Sequence, residues 1–155
     1  LKTMSEKSLW TKTRTGLLGV IGPPDNHLTR FENYAGPGTP DVHYCVNGKA
    51  GWVELKYIDG WPARESTIVH IDHFTPQQRT WLHDCNMSGG RCFVWLAIGD
   101  GEEFQSRLVD FFLFDGLEAA MFLGKDWKKE DFYKKALLIY NKKVNWNELM
   151  GALLK

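Results

Sequence analysis

The chain has 155 residues, 43% of them hydrophobic and 14% aromatic, and its 19 basic and 19 acidic side chains cancel to a formal net charge of zero. That length and apolar content suit a single compact domain with its own core, and no run approaches the ~18 uninterrupted apolar residues of a membrane span. A neutral balance excludes a surface that is basic all over, so contact with nucleic-acid phosphates would have to come from local clusters.

The opening Leu1-Lys2-Thr3-Met4 lacks an apolar signal stretch, and Cys45, Cys85 and Cys92 lack metal-ligand spacing. Both features fit a cytoplasmic protein with reduced cysteines. Ser5–Thr15 reads as a first helix capped by Ser5, made basic by Lys7, Lys12 and Arg14 against Glu6. That face is equally consistent with a phosphate contact and with simple solvation. Gly16–Asn26, rich in Gly and Pro, reads as a loop. Val42–Val46, Asn47-Gly48 and Trp52–Tyr57 then form two strands about a tight turn, since Asn-Gly favours the positive φ angles of hairpins.

Asp59–His73 is a long polar connection that contains Gly60-Trp61-Pro62 and a short strand at Ile68-Val69. Thr75 at the N-cap, Pro76 at the first helical position and Gln78 at the third predict a helix with a capping box. It runs to about Met87 and stops at Gly89-Gly90. Arg91–Ile98 reads as a buried strand parallel to its predecessor, and Arg107–Phe114 as a further strand. Leu117–Leu123, Glu130–Tyr140 and Asn145–Leu154 read as helices, a helical C-terminal extension from about residue 115. Lys128, Lys129, Lys134, Lys135, Lys142 and Lys143 are read as solvated faces.

The chemistry gathers on the hairpin. Glu54 and Lys56 are two apart and leave one face of the second strand, while Val53 and Leu55 leave the other. Asp41 heads the first strand, and folding the hairpin brings it beside Glu54. Two converging carboxylates suit Mg²⁺, a hard cation with oxygen ligands. A lysine beside them could orient a water or neutralise a phosphate. The plainer account is a solvated Glu–Lys pair on a half-exposed sheet, and Pro40-Asp41 at the head of the hairpin weighs against it. His43 shares the face of Asp41 and reads as lining the mouth of the site; His70-Ile71-Asp72-His73 reads as a polar loop without zinc-ligand spacing.

From Arg30 to Ile98 the chain resembles the PD-(D/E)xK nuclease superfamily, especially the small phage and bacterial VRR-NUC-like and Holliday-junction-resolvase-like members. The resemblance rests on four pieces in order: Arg30-Phe31-Glu32-Asn33 leading to Gly36-Pro37-Gly38 and Pro40-Asp41; Glu54-Leu55-Lys56; Phe74-Thr75-Pro76-Gln77-Gln78; and Gly89-Gly90-Arg91 before an apolar strand. It implies an α/β restriction-endonuclease-like fold, a mixed sheet flanked by helices. It implies a Mg²⁺- or Mn²⁺-dependent DNA endonuclease acting on branched or junction DNA, in the cytoplasm of a bacterium or phage-infected cell, and a homodimer if junctions are resolved symmetrically.

Site roles follow by the same resemblance. Asp41, Glu54 and the Leu55 backbone carbonyl would hold metal, and Lys56 would orient the nucleophile or stabilise the transition state. Gln78 is open between helix capping and the site. An additional acid would come from Glu32, which is favoured, or from Glu6. Arg30 is open between a phosphate contact and an ion pair with Glu32. Trp61 is weighed for stacking on an unpaired base, with packing the alternative. The competing function is a non-catalytic nucleic-acid-binding module that retains the fold, for which the neutral charge speaks; a structural or interaction protein is a third.

Overall fold

The computed structural model describes residues 5–22, 27–31, 37–101 and 107–155. Its described residues form a six-stranded sheet in the order β1 (His27–Arg30), β2 (Val42–Val46), β3 (Lys49–Ile58), β4 (Cys92–Gly99), β5 (Leu108–Asp115) and β6 (Leu138–Asn141). Every neighbouring pair is antiparallel except β3 and β4, which run parallel and are joined through α2 (Pro76–Met87). The helices are α1 (Glu6–Val20), α2, α3 (Gly116–Phe122), α4 (Lys129–Lys135) and α5 (Trp146–Leu153). This is the mixed α/β sheet flanked by helices that the sequence leads one to expect.

Two apolar layers sandwich the sheet. Leu9 and Leu17 of α1 and Leu149 and Leu153 of α5 pack on Val42, Tyr44, Val53, Leu55 and Trp95. On the opposite face, Leu82 of α2, Ala119 and Ala120 of α3 and Phe132 of α4 pack on Val94, Leu96, Ile98, Phe112 and Phe114. β4 feeds both layers, so all eight of its residues are buried, the near-continuous apolar run expected of a central strand.

Local chemistry explains most boundaries. Asn47 (φ 50°) and Gly48 (φ 75°) form the predicted turn, and Thr75 and Gln78 close the predicted capping box. Asn145 caps α5 by accepting from Glu148 N. Three expectations need correction. α1 continues through Gly16 to Val20, because Gly16 is where the ring of Trp146 lies too close for any Cβ; it is a packing glycine and not a helix breaker. β1 stands where only an approach segment was expected. The expected helix over Glu130–Tyr140 ends at Lys135, and Leu138–Asn141 pairs with β5 instead, as a Leu-Ile-Tyr run beside an open sheet edge favours. The short strand at Ile68-Val69 is a bridge, Ile68 pairing with Lys128. Among the described residues no helix is long and apolar enough to cross a membrane.

Candidate active site

β3 alternates as a strand must, sending Val53 and Leu55 into the layer beneath α1 and α5. Glu54 and Lys56 leave the other face, below the start of α2, and each is only 1% exposed. Two ionisable groups buried side by side in a sheet demand partners. Glu54 Oε1 accepts from Lys56 Nζ at 3.1 Å and from Gln78 Nε2 at 3.1 Å. Lys56 Nζ also donates to the His73 carbonyl at 2.8 Å and to Gln78 Oε1 at 3.1 Å, with Glu6 Oε1 3.9 Å away. An ammonium has three protons, and Glu54, Gln78 and His73 take one each. The ring of Phe74 lies 5.4 Å from the same nitrogen.

The two accounts of Gln78 turn out to be one. Its Oε1 accepts from Thr75 N at 3.0 Å as the capping box requires, and from Lys56, while its Nε2 reaches Glu54. The cap therefore fixes the amide in the orientation that clamps both charged groups. Gly38 (φ 95°) lies against the backbone of Gln77 and Gln78 with no room for a Cβ, which seats the Pro40-Asp41 segment against the start of α2.

Asp41 is placed by the end of a strand. The pairing of β2 with β3 begins at Val42 and Val53, so Leu55 lies past the end of β2. Its N–H donates to Asp41 Oδ2 at 2.8 Å. An extended residue sends N–H and C=O to the same side, so the Leu55 carbonyl is also directed toward this gap. The charge of Asp41 acts on Glu54. Burial first, and then the charge of Asp41, push the Glu54 carboxyl well above the ordinary 4.5, while Lys56 opposes the rise. Burial also raises Glu6, with Lys56 and Arg30 acting to lower it and Asp41 to raise it.

The donor set can be tested for a divalent cation. Glu54 Oε2 is buried and has no hydrogen-bond partner among the described residues, and the neighbouring carboxylate repels it. With Asp41, Glu54 and the Leu55 carbonyl the set is all oxygen, as hard cations prefer. Among the described residues no group of three or more His, Cys, Asp or Glu side chains is arranged to cage a metal. Mg²⁺, which usually keeps several waters and one or two carboxylates, needs no such cage. The residues present fit it.

The remaining candidates separate. Glu6, the second choice as additional acid, is brought to Lys56 by the start of α1; Glu32, the favoured one, lies outside the described residues. Arg30 is half-buried at the end of β1, its charge acts on Glu6, and its Nε is buried with no hydrogen-bond partner among the described residues. Lys12 and Arg14 are exposed on α1, and Lys12 lies 6.0 Å over the Phe111 ring, so neither joins the cluster. Trp61 shows the packing alternative: its indole donates to Asp110 Oδ2 at 2.8 Å, and its half-buried ring packs against Phe112, Phe132 and Tyr133, with Lys129 Nζ 5.0 Å from it. His43 packs tilted against Trp52, ring centroids 4.7 Å apart, and burial together with His27 lowers its pKa. The His73 carbonyl was not foreseen, since any residue type carries one and only the path of the 59–75 connection places it at Lys56.

No protein-family model matches the chain. No curated protein matches it either. Among solved structures it is similar to Hjc, a Holliday junction resolvase from the archaeal hyperthermophile Archaeoglobus fulgidus, with a TM-score of 0.48, 10% identity, and coverage of 96% of this chain and 97% of that one. A likeness of that depth decides neither family nor activity.

Proposed function

We propose that the chain is a metal-dependent DNA nuclease of the PD-(D/E)xK type that hydrolyses phosphodiester bonds, with branched DNA as the preferred substrate. The observation that carries this reading is the treatment of Glu54: one oxygen is clamped by Lys56 and Gln78, and the other is buried without a donor beside a second carboxylate. Apolar residues would fill that volume with less loss of solvation, so the arrangement makes sense as a preorganised site.

Asp41, Glu54 and the Leu55 carbonyl would hold Mg²⁺ or Mn²⁺. Such an ion supplies charge neutralisation at the phosphate and a more acidic water at neutral pH. Lys56 contributes a fixed positive charge where negative charge accumulates on the phosphate in the transition state. To meet a substrate oxygen it must release one of its three acceptors, and Gln78 and the His73 carbonyl keep it in place meanwhile. Arg30, with an unpartnered buried nitrogen on the Glu6 side, is suited to hold a flanking phosphate. Glu6 serves as a further acid toward Lys56, and Glu32 remains the favoured candidate for an additional acid. Symmetric cutting of a junction would require a homodimer.

The test is cleavage of four-way junction, flap, single-stranded and linear duplex DNA with Mg²⁺ and with Mn²⁺. Metal-dependent cutting is expected from the wild type and is lost in Glu54→Ala and Lys56→Ala. Binding of the same DNAs without any cutting, unchanged by either substitution, would replace this reading with a non-catalytic DNA-binding module, which the zero net charge favours.

A further inference from the structure

The chain has seven tryptophans. Trp95 donates to Thr13 Oγ1 and Trp61 to Asp110. Trp52 and Trp81 are half-buried and, like Trp10 and Trp146, have no indole acceptor among the described residues. Tryptophans with one apolar and one wet side are typical of binding surfaces. Trp52 lies on the face of β3 that carries Glu54 and Lys56, and meets Trp81 of α2 edge-on at 5.2 Å. Phe31, 38% exposed, lies 5.5 Å from Trp52.

Trp81 also lines an open groove of about 380 Å³, with Pro37, Pro76, Gln77, Thr80 and Asp84. Pro37, Pro76 and Trp81 line it with apolar surface, and Gln77, Thr80 and Asp84 offer an amide, a hydroxyl and a carboxylate. The groove lies on the first turns of α2, the helix whose Gln78 holds Glu54 and Lys56, and Pro37 precedes the Gly38 that lies against Gln77 and Gln78. Its one charged group is Asp84, so a phosphate is disfavoured there. A planar heterocycle with donors on its edge has the matching chemistry.

We propose that this groove receives one unpaired nucleobase of the bound DNA strand, stacked on Trp81, next to the phosphate placed at Asp41 and Glu54. The assignment rests on the nuclease reading and names its substrate class: DNA with an unstacked base beside the cut, as at a branch point, flap or single strand. A fully paired duplex offers no base to the groove.

The experiment uses the full chain with Ca²⁺ and forked DNAs that carry 2-aminopurine at successive positions, read by fluorescence and by binding. Wild type and Trp81→Phe are expected to quench one position near the branch. Trp81→Ala is expected to abolish that quench and weaken binding to forked DNA roughly 5- to 100-fold, with paired duplex bound as before. Thr80→Leu fills the groove from an exposed position without removing packing, and is expected to have the same selective effect. Absence of any quench, or equal loss on forked and paired DNA in both Trp81→Ala and Thr80→Leu, would overturn the proposal. Cleavage with Mg²⁺ on the same DNAs is scored separately. A wild type that cuts while both variants bind every DNA normally removes the groove and keeps the nuclease; a selective quench without any cutting does the reverse.

Discussion

β3 and β4 are parallel neighbours with equal burial and opposite chemistry. Glu54 pairs with Val94 and Lys56 with Leu96, all four residues are at most 1% exposed, and all four side chains leave the same face. On β4 that face is carbon packed beneath α2 and α3. On β3 it is a carboxylate, an ammonium and their amide clamp. Stability alone would favour the β4 solution, because a buried ion pair loses solvation that its attraction only partly restores. The difference marks where the proposed site lies: β3 retains charge at the point where β2 ends, beside Asp41.

The sharpest way to break the comparison is to make β3 half like β4. Lys56→Leu leaves Glu54 buried without its counter-ion and is expected to lower stability by about 3–5 kcal/mol, measured by urea unfolding without metal. Making both changes, Glu54→Val with Lys56→Leu, copies the β4 pair. It should recover that loss and end about 1–4 kcal/mol above the wild type, with no nuclease activity. A double variant as unstable as the single one would show that the pair is itself a structural requirement.

Asp41→Asn sharpens the contrast with a smaller effect. The amide oxygen can still accept from Leu55 N, the repulsion of Glu54 disappears, and the amide nitrogen becomes a donor for the orphaned Glu54 oxygen. The metal-free protein is expected to gain roughly 1–2 kcal/mol, seen as a rise of a few degrees in Tm, while metal-dependent cutting is lost.

The pH response is the mildest probe. With its folded pKa raised above 4.5 by burial and Asp41, Glu54 keeps a proton in the fold at pH values where the unfolded chain has released it. Stability linked to Glu54 is then greatest below 4.5 and falls as pH rises toward its folded pKa. Glu6, raised in the same direction, adds to the trend. In metal-free protein, Tm is expected to decline over this range, less so in Asp41→Asn. Mn²⁺ binds the deprotonated carboxylates, so adding it should raise Tm most at the high-pH end. A wild-type profile indistinguishable from that of Asp41→Asn, with no response to Mn²⁺, would remove the coupled carboxylates.

What the sequence by itself determined is local in origin. Asn47-Gly48 dictates a turn, Thr75-Pro76 with Gln78 dictates a helix start, and the period-2 alternation of β3 puts Glu54 and Lys56 on one face. Each depends on a few adjacent residues and their own backbone preferences, and so can be read without the fold. Tertiary structure decided the rest. Glu6 and Lys56 meet across fifty residues, the His73 carbonyl reaches Lys56 by the course of a connection, and Gly16 reads as a breaker until Trp146 is seen against it. The Leu138–Asn141 run becomes a strand because β5 leaves an edge to pair with. The sequence singles out Trp61, in its Gly-Trp-Pro loop, for stacking and puts Trp81 on a core-like position, and only the fold shows Trp61 packed against Phe112 and Phe132 and Trp81 lining an open groove. Contacts between distant segments depend on which surfaces the sheet brings together, and no local pattern carries that information.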